Sequence, residues 1–149
     1  MLAMCWITAC AGSGGGGNGT PKPSCTPQVD PASISFANNI QPLFNTSCAL
    51  GGCHDAATAI QGLNLSVGAS YKAIVNRRST EQANLKLIQP GNPDTSYLIQ
   101  KIEATPGIAG VPMPQGCPGS GVGLNGAPCL SADQMQMFRT WVLACAPKN

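Results

Sequence analysis

Apolar residues recur at helical spacing in several stretches of the chain. Phe36, Ile40, Leu43 and Phe44 fall at i, i+4, i+7 and i+8, one face of a 3.6-residue period, and predict a first helix over about residues 36–47. Pro42 lies within it and removes one i−4 hydrogen bond. That loss is harmless if the regular helix starts near Asn39, which places Pro42 in the first turn and makes Asn38 or Asn39 the cap. The last helix carries the clearest local signals. Ser131 and Gln134 form a capping box, Leu130 and Met135 match a hydrophobic staple, and Met135, Phe138, Trp141, Val142 and Cys145 make the apolar face. Asp133 at its start and Arg139 further along suit the helix dipole. A helix over residues 94–104 (Tyr97, Leu98, Ile102) and a shorter one over 69–75 lie between, with short extended candidates at 63–65 and 85–88. Residues 107–128 read as one long Gly/Pro-rich loop, the kind that is usually functional or disordered. The pattern gives a mainly α domain with at most short strands and no internal repeat.

Composition narrows the class. Only 9% of the 149 residues are charged, against roughly 25% in ordinary soluble proteins. Eight Lys and Arg against six Asp and Glu leave a formal +2. There is no basic field for nucleic acid and no charge run that would make a tail or a polybasic membrane patch. Gly 18 and Pro 13 together make about a fifth of the chain. Low charge and many loop residues predict a small domain supported by covalent or cofactor constraints. Eight cysteines in so short a chain point to an oxidising compartment.

The start of the chain has its own logic. A short apolar stretch ends in Ile7-Thr8-Ala9-Cys10, which resembles a bacterial lipobox whose cysteine is diacylated; no Lys or Arg precedes it. Residues 11–32 then read as a Gly/Ser coil stiffened by prolines, a spacer suited to an anchored domain. This predicts a signal segment over 1–10, lipidation at Cys10, a linker over 11–32 and a domain over 33–149. By resemblance to other bacterial lipoproteins, Ala11 is compatible with sorting to the outer membrane.

The sole histidine directly follows a cysteine, in Cys48-Ala49-Leu50-Gly51-Gly52-Cys53-His54. Covalent haem attachment asks for this order: two thiols add to the two vinyl groups of the macrocycle, and the adjacent histidine ligates iron. The usual spacing is C-x-x-C-H. The spacing here is C-x4-C-H, and Gly51 and Gly52 let the extra chain bulge. A ligating histidine usually donates its other N–H to a carbonyl or carboxylate, here expected from a backbone carbonyl within residues 61–66.

At this point the chain resembles the small monohaem c-type cytochrome domains of bacteria, in particular those with a CAxxGCH attachment site. Ile40-Gln41-Pro42-Leu43-Phe44 precedes the motif, and Gly62-Leu63-Asn64-Leu65 follows it. Gln89-Pro90-Gly91-Asn92-Pro93, Ser96-Tyr97-Leu98, Val111-Pro112-Met113-Pro114, Leu130-Ser131 and Trp141-Val142 continue the order. The resemblance spans about residues 33–146. It implies a cytochrome c-like helical domain around one covalent haem c. Cys48 and Cys53 would be the attachment points, His54 the proximal iron ligand and Met113 the distal one. Two prolines also make the Met113 backbone stiff and extended. His/Met ligation raises the reduction potential and leaves iron no open position, which implies an electron carrier rather than an enzyme, working with redox partner proteins.

Plainer readings stand beside these. Cys48 and Cys53 could form a disulfide beside an incidental histidine, zinc is a weaker possibility, and Met113 could fill a gap in the core. Tyr71, Tyr97, Arg77 and Arg78 could contact haem propionates, or be core aromatics and exposed polar groups. Phe36, Phe44 and Trp141 read as core. Cys25, Cys117, Cys129 and Cys145 allow three connectivities. Cys117–Cys129, closing the loop after Met113, and Cys25–Cys145, tying the entry segment to the last helix, are expected. Function therefore reads as electron transfer in the periplasm or cell envelope, by a protein lipid-anchored to the outer membrane. The alternatives are a haem enzyme or gas sensor, or a disulfide-stapled binding module without haem.

Overall fold

A computed structural model describes residues 25–117 and 121–149. The expected signal segment, Cys10 and the first part of the linker lie outside the described residues. The described chain is mainly α-helical. A π-helical turn, Phe36–Ile40, runs directly into α1, Gln41–Ser47. Then follow α2, Ser70–Ile74, α3, Tyr97–Ile102, and α4, Ala132–Leu143, with short 3-10 turns at Ile60–Gly62 and Leu124–Gly126.

The first helix covers its expected span but begins differently. Its cap is Ser35, not Asn38 or Asn39: the Ser35 hydroxyl accepts from Asn38 N, while Asn39 Oδ1 accepts from Ser35 N at 2.9 Å. The first turn is wound i→i+5, with Gln41 N donating to Phe36 O. Regular α-helix starts at Gln41, so Pro42 falls in its first turn, where a missing N–H costs nothing. Asn149 closes this end from far away in sequence. Its Oδ1 accepts from Phe36 N at 2.8 Å and its main-chain O from Ala37 N at 2.9 Å.

The capping box of α4 is present with both of its bonds. Phe138, Trp141 and Val142 are buried as the apolar face requires. Cys145 is not on that face: the helix stops at Leu143, and Cys145 lies beyond it with φ +69°. The third helix is shorter than its apolar period suggested. Ser96 sits in extended conformation, and its hydroxyl bonds Gln89 N and Asn92 O, so residues 94 and 95 belong to a turn. Left-handed Ala104 (φ +54°) lies just past its end. The extended candidates are not strands. Residues 85–88 make only single bridges, Val75 with Ile88, Arg78 with Lys86 and Lys86 with Ser96, and in 63–65 Leu65 N bonds His54 O instead of a ladder.

The core is one cluster. Phe36, Ile40 and Phe44 meet Phe138, Trp141 and Val142 of α4, with Ile74, Ile88 and Ile99 filling between. The Phe36–Trp141 and Phe44–Phe138 centroids are each 5.3 Å apart, within the range of favourable aromatic pairs. Arg139 of α4 reaches back to the α3 region, bonding Glu103 at 3.1 Å and Asp94. Two disulfides complete the frame, with the expected pairing: Cys25–Cys145 and Cys117–Cys129. The first fastens residues assigned on sequence to the linker. Gln28 assists it, donating from N to Leu143 O at 3.0 Å and from Nε2 to Gly91 O at 2.6 Å.

Candidate functional site

The C-terminal end of α1 delivers Cys48, after which the chain turns back on itself. His54 N donates to Cys48 O at 3.1 Å and Cys53 N to Leu50 O at 2.9 Å. This small closed loop holds both thiols and the histidine in one place. Gly52 takes φ +81°, a left-handed turn that glycine adopts at no steric cost, and donates to Thr58 Oγ1 at 3.2 Å. Among the described residues the cysteines outside disulfides are Cys48 and Cys53. Burial first, and the neighbouring Cys53 second, push the Cys48 thiol up to about 12.

His54 leads into the segment that orients its ring. His54 O accepts from Leu65 N at 2.8 Å, and Nδ1 lies 3.2 Å from Leu63 O. A carbonyl can only accept, so Nδ1 carries the proton and Nε2 keeps its lone pair. The carbonyl lies within the 61–66 window expected from sequence. Burial lowers the imidazole pKa, with hydrogen bonding to the Leu63 and Ile60 backbone opposing it. The segment is itself anchored: Leu65 O accepts from Gln41 Nε2 at 3.1 Å, and the Gln41 amide oxygen accepts from the buried Ser70 hydroxyl.

Cys48, His54 and Met113 line a single cavity of about 410 Å³. Phe44, Leu63, Leu65, Leu87, Leu98 and Ile102 supply apolar wall, and Arg77, Arg78, Glu81, Tyr97 and Lys101 supply polar and charged groups. Cys53 lies outside that lining. Its sulfur is 3.6 Å from Asn125 Nδ2, which also reaches Gly51 O at 3.5 Å. The 3-10 turn at Leu124–Gly126, inside the loop closed by Cys117–Cys129, thus rests on the thiol loop. Met113 is half-buried, and its N donates to Lys101 O at 2.9 Å.

The tyrosines separate. Tyr97 lines the cavity, with its hydroxyl 2.9 Å from Glu81 Oε2 and 3.0 Å from Ala109 O. Tyr71, expected as a possible haem contact, is not among the lining residues. It stacks edge-on against Phe36 at 5.1 Å and donates its hydroxyl to Ala146 O at 2.8 Å, because α2 turns this face toward the α4 core. Arg77 and Arg78 are exposed at the cavity.

Sequence reasoning missed Lys101, Glu81 and Asn125. Lys101 had a usable signal, since it takes the i+4 place after Tyr97 on an otherwise apolar helical face. Glu81 and Asn125 arrive from loops and carry no such mark. Among the described residues no three His, Cys, Asp or Glu side chains gather as a metal cage, a grouping that one His and one Met would not form. No family model, curated protein or solved structure matches the chain.

Proposed function

We propose that the chain is a monohaem c-type cytochrome that carries single electrons in the cell envelope. The observation that carries this reading is the convergence of Cys48, His54 and Met113, residues up to 65 positions apart, on one apolar cavity. The residues fit the group. The cavity volume lies within the roughly 300–1,000 Å³ of cofactor sites. His54 keeps Nε2 available because Leu63 holds the proton at Nδ1. A thioether, an imidazole and a thiol facing a mostly apolar wall match the donor set of a covalently held haem.

Haem, when bound, supplies the one-electron ferric/ferrous couple. The chain supplies everything else. Cys48 and Cys53 would hold it covalently, each thiol adding across one vinyl group with sulfur to one carbon and hydrogen to the other, a redox-neutral addition. His54 would hold the iron through its Nε2 lone pair and Met113 through its sulfur. Phe44, Leu63, Leu87 and Leu98 exclude water, which favours the less charged reduced state. Arg77 and Arg78 are available to acidic groups at the rim.

The absence of a Cys48–Cys53 bridge argues against the stapled-module alternative, which needs one. The two disulfides support an oxidising compartment. Among the described residues no helix is long and apolar enough to cross a membrane, and the anchor proposed is the lipid at Cys10. Periplasmic expression with the c-type maturation machinery, followed by a pyridine haemochrome spectrum, tests the reading. One covalent c-haem per chain is expected, lost in Cys48→Ala/Cys53→Ala. Colourless protein with wild-type folding would end it.

A further inference from the structure

Lys101 is the charged residue in the buried class among the described residues, and its side chain is only 9% exposed. It grips the loop that carries Met113 at two points. Its main-chain oxygen accepts from Met113 N at 2.9 Å. Its ammonium donates to Ala109 O at 2.8 Å and pairs with Glu81 Oε2 at 2.8 Å. Tyr97, one turn earlier on α3, repeats the arrangement through its hydroxyl, which faces the same Glu81 oxygen and the same Ala109 carbonyl, and the Lys101 ammonium sits 5.5 Å above its ring. Glu81 is held in turn by Ser79, whose hydroxyl accepts from Glu81 N at 3.1 Å. The loop backbone passes directly over the pair. A Cβ on Gly110 (φ +67°) would lie 3.3 Å from Glu81 Oε1 and 3.5 Å from Lys101 Nζ.

An ion pair between a buried ammonium and a carboxylate that keeps 26% of its side chain exposed is a poor way to gain stability, since solvent screens it and an apolar replacement often does as well. It is a good way to specify geometry, because a charged donor fixes a carbonyl that no helix or strand holds. We propose that the Lys101–Glu81 pair is a positioning device for Met113: it fixes the loop that presents the thioether and so sets how firmly sulfur occupies the sixth position. This rests on the haem reading above.

The test uses ferric holoprotein with covalent haem verified by pyridine haemochrome. Two readouts are followed, the sulfur-to-iron charge-transfer band and the affinity for added imidazole, which competes with Met113. Lys101→Met and Glu81→Gln are expected to weaken the band and to tighten imidazole binding about tenfold, the factor that loss of one charge-assisted hydrogen bond implies. Arg139→Ala, which breaks the ion pairs between α4 and the α3 region away from the cavity, is expected to lower stability while leaving both readouts unchanged. If Lys101→Met does not fold, Glu81→Gln, nearly isosteric and still able to accept from Tyr97, decides the matter. Wild-type band and affinity in Glu81→Gln overturn the proposal and leave the haem reading intact. An equal shift in Arg139→Ala also overturns it, since the effect would then be general loosening. A wild type with attached haem but no charge-transfer band overturns it by removing Met113 as ligand. A wild type without covalent haem overturns the haem reading itself, and the haemochrome shows this before any variant is made.

Discussion

Gly91→Ala isolates how tightly the entry segment is fastened. Gly91 has φ +81°, and a Cβ placed there would stand 2.6 Å from Cys25 Sγ, well inside the ~3.5–4.0 Å of ordinary contact. Neither partner can retreat easily. The sulfur is bonded to Cys145, and the Gly91 peptide is held on both sides, N–H to Val142 O at 2.7 Å and C=O from Gln28 Nε2 at 2.6 Å. Gly68 supplies a matched control, with φ +83° and nothing within 4 Å of the same Cβ position. An alanine in the left-handed region costs about 1–2 kcal/mol, less about 0.4–1 kcal/mol returned by a stiffer unfolded chain. Gly68→Ala should therefore lose about 1 kcal/mol.

Gly91→Ala should lose the same amount plus about 1–3 kcal/mol for overpacking against a fixed sulfur, or about 2–4 kcal/mol together. Urea unfolding followed by far-ultraviolet circular dichroism measures both, with thiol titration confirming that Cys25–Cys145 remains closed. Because the two φ angles match, the difference between the variants reports mainly the steric contact. Equal losses within about 0.5 kcal/mol would refute the reasoning, since the disulfide would then have room the geometry denies it.

Ser131→Ala removes a cap that makes both bonds of a capping box, and should cost about 1 kcal/mol in the same urea assay. Phe44→Leu and Phe138→Leu, each at a site 1% exposed, should cost a similar amount, about 1–2 kcal/mol, but of the two only Phe44 lines the cavity, so on the proposed haem reading only Phe44→Leu should shift the reduction potential measured by voltammetry. Burial pushes the Glu81 carboxyl up, yet hydrogen bonds from Lys101 and Tyr97, with the Lys101 and His54 charges, outweigh it and hold it below its ordinary 4.5. The stability Glu81 contributes is therefore present above that value and lost as pH falls through the folded one, so the advantage of wild type over Glu81→Gln should shrink as pH falls below 4.5 in urea titrations. Tyr71→Phe should lose about 1 kcal/mol with its bond to Ala146 and, on the proposed haem reading, leave the haem absorption spectrum unchanged.

What could be read from sequence follows the range of the interactions involved. The α4 cap is legible because Ser131 and Gln134 are three residues apart and bond each other. The apolar face of the first helix is legible for the same reason, but its π turn is not, since residue 149 supplies part of the cap. The third helix was overextended because an apolar period carries no record of Ser96 bonding Gln89 and Asn92 in place of the helix ladder. The carbonyl facing His54 was legible as a window of residues. A ring on a chain that returns within a few residues has few places to find an acceptor, and Leu63, nine positions on, takes the role. The Glu81 side of the Lys101 pair was not legible, because twenty residues and no common element separate them.

The same elements serve the core and the cavity. Phe44, Leu65 and Leu98 belong to the buried cluster and also line the cavity, so the wall of the site is the outer surface of the core. The groups proposed to act sit on loops against that wall, and each loop is fixed by a bond reaching back to a helix. Leu65, on the segment that holds His54, is bonded by Gln41 of α1, and Met113 is bonded by Lys101 of α3. This explains how a chain with helices of five to twelve residues can hold three donor groups to one cavity. Helix length supplies little here. Precision comes from buried polar side chains, Gln41, Ser70 and Lys101, each bonded to a loop or a neighbouring helix. With charged residues so scarce, the placing of Lys101, the buried charged side chain among the described residues, behind the Met113 loop in a pair with Glu81 is the strongest reason to read that loop as part of the site rather than as a connector.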